Sequence, residues 1–493
     1  MTVDDPKSDL SRRKTAGWIA LTGGAQAVRF VLTLVSTAVL ARLLSPTDFG
    51  LIAAASPVLA FTAMLQNLGL NEALVQRPDL QGRHVNALFY LMVGFSAVIA
   101  VVLFLAAPLL AAFLREPRVA GIVQAMAGIT LIVAVGATPI ALMNRRLQFR
   151  QLAVVDICAA VAGLVVGIAV ALATRSYWAL VVMLAATLAV QLAGAFICTK
   201  WWPGTPTFDA EFRRIVGLGA GFSTFNMLNF LSRNADLILI ARFHGATALG
   251  FYERAYKMML APLWQSVTPF GRVLTPVLSR LQNDPATYRQ RYFESVALLM
   301  SAVQPAIVAA MMFSDAAVGL VLGPGWLPSS PIFFWLCLTA LHQVQTMSLG
   351  WLFVSQGRAR EFALLGAIGA GVIVTSFVIG LPYGPVGVAM AYAIADLGLR
   401  APITWWVAGR RGPVDLAALL RSFTPHAAAM AASAAVMVLW SRVSSLGETP
   451  TLIGAGIISY CIYGAALGFF PEKRKLIGTF VRGAMRRFQL RAS

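Results

Sequence analysis

The sequence predicts an all-α polytopic membrane protein of about 14 transmembrane helices, built as two repeated six-helix bundles plus two C-terminal helices. Three observations predict it: an apolar composition laid out in successive runs, an internal repeat, and a one-sided distribution of positive charge. Apolar residues are 58% of the 493-residue chain and charged residues 12%. A soluble domain carries about 25% charged residues. Mean hydropathy is +0.75.

A helix crossing hydrocarbon needs roughly 20 mostly apolar residues. Such runs lie near 17–42, 48–70, 85–112, 120–143, 152–174, 176–198, 213–240, 248–279, 289–321, 330–354, 361–381, 384–408, 421–441 and 450–470. The runs at 248–279 and 289–321 are long and contain proline, so tilted or broken helices are expected there. No stretch is long and polar enough to form a separate soluble domain.

The repeat has an offset of 200 residues. Ala41-Arg42-Leu43-Leu44-Ser45-Pro46-Thr47-Asp48-Phe49-Gly50 aligns without a gap on Ala241-Arg242-Phe243-His244-Gly245-Ala246-Thr247-Ala248-Leu249-Gly250, with Ala, Arg, Thr and Gly coinciding. At an offset of 210, Arg150-Gln151-Leu152-Ala153 faces Arg360-Glu361-Phe362-Ala363. Six spans separate equivalent positions, so the halves share one orientation about an axis along the membrane normal. The expected division is a cytoplasmic segment 1–16, a bundle 17–200, a linker 201–212, a bundle 213–410, two additional helices in 411–470 and a basic cytoplasmic tail 471–493.

Net charge is +19. If the N-terminus is cytoplasmic, 27 of the 39 Lys and Arg fall in cytoplasmic segments, 6 on the opposite side and 6 within spans. This positive-inside bias predicts an even span number with both termini cytoplasmic. The tail Lys473–Arg491 is expected against anionic lipid rather than nucleic acid. The apolar run after Arg12-Arg13-Lys14 exceeds a signal-peptide core and reads as the first permanent span. Cys158, Cys198, Cys337 and Cys461 fall inside spans with no metal-ligand spacing, and are expected to be buried free thiols.

No zinc-protease, Walker or nucleophile-elbow signature is present, so neither an enzyme nor a cofactor is predicted. Gly217-x-Gly219-x-Gly221 follows no strand, and like Gly163-x-x-x-Gly167 it is expected to allow close helix packing.

Several segments resemble the polysaccharide transporter (Wzx-type) flippases of the multidrug/oligosaccharidyl-lipid/polysaccharide exporter superfamily, particularly its colanic-acid-exporter-like branch. They are residues 41–50, Asn67-Leu68-Gly69-Leu70-Asn71-Glu72-Ala73-Leu74-Val75-Gln76, Arg145-Arg146-Leu147-Gln148-Phe149-Arg150, Leu249-Gly250-Phe251-Tyr252-Glu253-Arg254-Ala255-Tyr256-Lys257, Leu322-Gly323-Pro324-Gly325-Trp326-Leu327-Pro328, and Pro382-Tyr383-Gly384-Pro385-Val386-Gly387-Val388-Ala389. The resemblance implies translocation of a polyprenyl-pyrophosphate-linked oligosaccharide across a bacterial inner membrane, by alternating access of two bundles. Partners it implies are that lipid and, beyond it, polysaccharide polymerase and export machinery.

Such a cargo is anionic and hydrated, and needs a wet cavity with fixed positive charge. Charged residues within spans are costly and usually face an interior cavity. Arg29 and Arg233 lie at similar depth in equivalent helices and are the first substrate-binding candidates. Asp236, one turn from Arg233, is placed to pair with it, as a structural partner or as a coupling group. Arg254, Lys257, Gln265 and Arg272 fall at about 0°, −60°, 20° and 0° on an unbroken helix, a basic stripe suited to phosphate. Pro262, Pro269 and Pro276 bear on that continuity, and Glu253 is placed to pair with Lys257. Gln343 and Gln345 are candidates for sugar contacts, and Asp396 for coupling or gating. Arg42 and Arg242, at the repeated turns, are gating candidates if they repel across a closed outer gate. Trp201-Trp202 and Trp405-Trp406 read as an interfacial aromatic belt.

Three rivals remain. A multidrug cation exporter needs a carboxylate-rich cavity. A polysaccharide polymerase or ligase needs a sizeable outer loop. A lipid II flippase shares the superfamily and the span count.

Overall fold

The computed structural model describes residues 12–66, 82–207, 223–443 and 448–470, without the side chains of 12–23, 63, 65–66, 223–233, 443 and 448. The segment Asn67–Gln76, the Gly217–Gly221 run and the basic tail lie outside the described residues. All regular structure among the described residues is helical. Among the described residues, ten segments are long and apolar enough to cross a membrane. One of them, Ala359–Gly409, contains two of the fourteen predicted runs, folded back at Leu381–Tyr383. The runs predicted at 48–70, 213–240 and 248–279 are helical where described but are not among the ten. The run at 213–240 is described only from 223 onward, and the helix Ser223–Arg280 that carries the run at 248–279 also holds Glu253, Arg254, Lys257 and Arg272.

The chain divides into two compact units, Met1–Gly250 and Phe251–Ser493. The first begins with α1 (Arg12–Leu43), α2 (Pro46–Gln66), α3 (Gly82–Leu114), α4 (Arg118–Arg145), α5 (Phe149–Thr174) and α6 (Trp178–Thr199). The helix Ser223–Arg280 then breaks at Gly245, where φ is 80° and ψ is 178°. That backbone is costly for any residue with a Cβ. Its arms are α7 (223–244) and α8 (246–280). Gly163 and Gly167 do allow close packing: a Cβ on either would run into Met183, and at Gly163 also into Thr187.

The repeated motif is explained residue by residue. Ser45 caps α2, with Pro46 at the first helical position. Ser45 Oγ and its backbone N–H both donate to Asp48 Oδ2, at 2.6 and 2.9 Å, and the Asp48 N–H returns a bond to Ser45 Oγ at 3.3 Å. This is the reciprocal logic of a capping box. Asp48 Oδ1 also accepts the N–H of Tyr177 at 3.0 Å, which ties α2 to the start of α6. The two copies of the motif then meet. Thr47 and Thr247 share a hydrogen bond at 2.7 Å. A Cβ on Gly50 would strike the Ala246 carbonyl, and one on Gly250 would strike the Pro46 carbonyl. Residues 46, 47 and 50 thus meet 246, 247 and 250 reciprocally, as a local two-fold axis requires. This contact places the first turn of α8 in the first compact unit, which ends at Gly250.

The second unit continues with α9 (Pro285–Met312), short α10 (Ser314–Val321), α11 (Ser330–Ser355), α12 (Ala359–Gly380), α13 (Gly384–Ala395), a π turn (Asp396–Arg400), α14 (Ala401–Gly409), α15 (Leu416–Val443) and α16 (Glu448–Gly468). Asp284 caps α9 by accepting the Thr287 N–H at 3.1 Å, and the Thr287 hydroxyl together with this N–H holds its carboxyl below the ordinary range. Buried hydroxyls join the long helices: Tyr288 to Ser355 at 2.6 Å, Tyr292 to Ser348 at 2.8 Å. His426 on α15, Tyr463 on α16 and Gln304 on α9 form a chain of 2.6 and 2.5 Å bonds. Arg358 donates to the carbonyls of Val407, Ala408 and Arg411 at the end of α14, at 2.7–3.1 Å. In the first unit Arg146 does the same for α6, donating to the Thr199 carbonyl at 2.9 Å. In each unit, therefore, an arginine from an earlier interhelix turn satisfies carbonyls at the end of a later helix, α6 or α14.

Two expectations are corrected. Cys158 and Cys461 are exposed, with Cys198 intermediate and Cys337 buried. In lipid an outward thiol face costs little, so helix packing does not need to cover it. Trp405 is not an interfacial anchor: it is buried, and its Nε1–H donates to Thr346 Oγ1 at 2.9 Å. Trp202 and Trp406 are exposed, as a belt requires, and Arg410 lies 4.5 Å from the Trp406 ring centre.

The crossing makes a simple prediction. Gly50→Ala places a methyl against a backbone carbonyl and should cost about 1–3 kcal/mol, seen as a lower unfolding midpoint of the purified protein. Gly94→Ala, with open space around it, should be neutral or slightly stabilising. Equal midpoints for both variants would show that the crossing is loosely packed.

Candidate functional site

Three clusters of charge lie on membrane-embedded helices. The first is in the first unit. Arg29 Nη1 meets Asp156 Oδ2 at 2.8 Å, with the Arg29 side chain 51% exposed and that of Asp156 15%. Gln191 Nε2 donates to the other oxygen, Asp156 Oδ1, at 2.7 Å. Gln191 also lines a cleft of about 290 Å³ with Ile132, Gly136, Ile140, Asn144 and Leu188. So α1, α5 and α6 bring one cation, one anion and one amide into contact, and the amide, Gln191, reaches the cleft. The ion pair uses one nitrogen of a planar fork with five donors. Because the fork stays half exposed, it can take a second anion while still touching Asp156.

The second cluster opens α8. Buried Glu253 binds Arg254 Nε at 2.6 Å and Lys257 Nζ at 2.5 Å. The expected Glu253–Lys257 pair therefore forms, with Arg254 added. Within 246–280 the helix continues through Pro262, Pro269 and Pro276, its only non-helical backbone being the break at Gly245. The spacing that aligns Arg254, Lys257, Gln265 and Arg272 thus holds, and the last three are exposed. Arg254 is mostly covered, held on Glu253.

The third cluster is the π turn. Asp396 Oδ1 is bound by Arg400 Nε, and Asp396 Oδ2 lies 3.1 Å from Nε2 of His342 on α11. Asp396 is fully buried.

The other candidates are placed as follows. Gln343 donates to the Tyr392 hydroxyl at 3.3 Å and Gln345 to the Leu419 carbonyl at 3.1 Å. Both are buried, and both hold helices together. Asp236 is buried, with Oδ1 accepting the Leu237 N–H at 2.9 Å. The side chain of Arg233 lies outside the described residues. Arg42 is exposed. Arg242 lies 5.9 Å from the ring centre of Phe113 and 5.5 Å from that of Phe243, so aromatic faces spread its charge.

Sequence reasoning missed Asp156 and His342. Asp156 is an acid inside the 152–174 run, found by the same scan that finds Arg29. His342 stands among polar residues, His342-Gln343-Val344-Gln345-Thr346, on one apolar span; no spacing rule joins it to an aspartate 54 positions later.

Comparison with known proteins agrees with this reading of the fold. The family profile described as "Polysaccharide biosynthesis protein" matches residues 39–331, more than half of the chain. The chain is 23% identical over 393 residues to the lipopolysaccharide biosynthesis protein WzxC of Escherichia coli (strain K12), covering 78% of this chain and 79% of that protein. It is 26% identical over 333 residues to the teichuronic acid biosynthesis protein TuaB of Bacillus subtilis (strain 168), covering 67% and 68%. Among solved structures, the lipid II flippase MurJ in an inward closed conformation superposes with a TM-score of 0.73 at 12% identity, over 93% of this chain and all of that one. An inward-facing multidrug resistance MATE transporter of the MOP superfamily gives 0.59 at 13% identity, over 80% and 96%. At these identities the structural likenesses speak for the fold alone. The chain is a multi-pass helical membrane protein with the fold of these transporters, and it belongs to the polysaccharide biosynthesis protein family.

Proposed function

We propose that this protein is a flippase that carries a polyprenyl-pyrophosphate-linked oligosaccharide across the bacterial inner membrane by alternating access, for surface or exopolysaccharide biosynthesis. The observation that carries the reading is Arg29. A half-exposed guanidinium on an apolar helix, tied through Asp156 to the cleft residue Gln191, is expensive in hydrocarbon and suits an anionic headgroup. The family supports the substrate class, and the named relatives act in polysaccharide assembly. An inside-negative potential already drives an anion outward, by roughly 2.3 kcal/mol per charge per 100 mV. The missing ATPase motif is therefore no obstacle.

In this reading Arg29, Arg233 and the stripe Arg254, Lys257, Arg272 hold the pyrophosphate in turn. Asp156 holds Arg29 between cargoes. The turns at 45–48 and 245–248 form the outer gate, with both termini in the cytoplasm and the basic tail on anionic lipid. Polymerase and export machinery are the proposed protein partners.

Arg29→Ala should abolish glycan export and weaken binding of a pyrophosphate lipid by about 10–100-fold, the value of one charge-assisted hydrogen bond. Arg29→Lys should keep part of the activity. Asp156→Asn should tighten binding, because Arg29 then no longer divides its charge between two anions. Wild-type binding by both Arg29→Ala and Asp156→Asn would make the pair purely structural.

Cysteines at Thr47 and Thr247, in a protein freed of its native cysteines, should form a disulfide readily, since the two hydroxyls are 2.7 Å apart. Locking them should stop export, and reduction should restore it. Continued export by the fully locked protein would show that this crossing is not a gate.

A reporter active only in the cytoplasm should work when fused after Ser493 and after Gln151. Inactivity at both sites would invert the topology.

A further inference from the structure

Deep in the second unit, two buried polar atoms face each other without the alignment of a hydrogen bond. His342 Nε2 and Asp396 Oδ2 are 3.1 Å apart, and neither has an aligned partner. A bare imidazole nitrogen and a bare carboxylate oxygen are both acceptors. Lone pairs opposed at that distance in a dry site are strongly unfavourable, so at least one proton belongs between them.

The surroundings show what the site can hold. Arg400 binds the other oxygen of Asp396 from the same π turn, and its charge repels a metal cation. One nitrogen and one oxygen are also far short of a metal's coordination shell. On its far side, His342 Nδ1 lies 3.0 Å from Thr346 Oγ1, which also accepts from Trp405 Nε1–H at 2.9 Å. A hydroxyl rotates, so Thr346 donates to a bare Nδ1 or accepts from a protonated one. The imidazole can therefore hold one proton or two with no heavy atom moving. Histidine is the side chain whose ordinary range makes that exchange near neutral pH. The Ala401 N–H reaches back to the Asp396 carbonyl to close the π turn, and π turns inside helices frequently mark functional sites.

We infer that His342 and Asp396 form a proton-binding site, and that the second proton it takes up is linked to binding of the anionic cargo. The linkage rests on the flippase reading; the proton site does not. Its sign follows from charge. With neutral His342, Asp396 and Arg400 cancel, and the second proton makes the site net positive. Tyr256 on α8 and Tyr392 on α13 are the titratable groups that interact with Arg400 from the neighbouring elements. Helix α12 presents Gly369 to the Arg400 stem, and no charge there. Tyr256 lies on α8, the helix that carries Arg254 and Lys257, and through it the added charge raises the positive potential at that helix. Pyrophosphate binding and proton uptake therefore favour each other, and affinity rises as pH falls.

The test uses purified full-length protein in nanodiscs with farnesyl pyrophosphate as probe. Calorimetry in buffers of different ionisation enthalpy gives affinity and protons taken up, between about pH 6 and about pH 8. Wild type should gain affinity as pH falls by up to about tenfold per unit, the limit for one proton. H342Q should keep only the probe's own titration. A wild type and an H342Q with identical profiles and identical proton uptake would overturn the linkage. If the probe does not bind at any pH, the flippase reading fails and the proton site is judged separately. Its readout is then the ¹⁵N spectrum of histidine-labelled protein without probe, in which the signal missing from H342Q belongs to His342. Titration of that signal across the same range supports the site, and a constant signal overturns it.

Discussion

Charge inside hydrocarbon costs about 2.5–3.5 kcal/mol per residue by insertion measurements, and much of this structure follows from how that cost is met. Arg29 meets Asp156, Glu253 takes Arg254 and Lys257, and Asp396 takes Arg400. Each pairing has a different exposure, and exposure separates their proposed roles. Glu253 and Asp396 are buried, so breaking either pair leaves an uncompensated charge in a dry place. Arg29 is half exposed. Like Lys257, it is both paired and open to a further anion.

The same constraint explains the turns. Backbone groups that leave a helix near lipid need a partner, and the first copy of the motif supplies side-chain partners for several. Ser45 and Asp48 satisfy the start of α2 and of α6. Thr47 and Thr247 satisfy each other. Gly50 and Gly250 let the backbones approach. A sequence repeat that reads as ancestry is also a self-complementary contact surface, because two copies of one shape can meet about a two-fold axis.

What the sequence made legible follows the same lines. Helices were legible because each one needs a long apolar run, and the packing glycines 163 and 167 because only glycine permits that approach. The arginine at depth was legible because charge is rare there. The partner that defines Arg29 was not, although Asp156 stands in plain view inside a span, because its pairing depends on the rotation of α5 against α1. The basic stripe on α8 was legible from its angles; its survival through three prolines was not, since neighbouring helices decide whether a proline ends a membrane helix. Trp405 was misread because a Trp-Trp pair at a span end looks like an anchor until its indole N–H is seen to reach Thr346. His342 and Asp396 come together only through the packing of α11 on the π turn.

Reconstitution tests the flippase reading most directly. Purified protein in vesicles with an inside-negative potential is given a fluorescent polyprenyl-pyrophosphate-linked oligosaccharide in the inner leaflet, and a quencher outside reads its arrival in the outer leaflet. The expected result is translocation that depends on Arg29 and is lost for a neutral, pyrophosphate-free analogue of the same lipid. Equal transport of charged and neutral lipids, or export of an organic cation with no movement of the glycolipid, would contradict it.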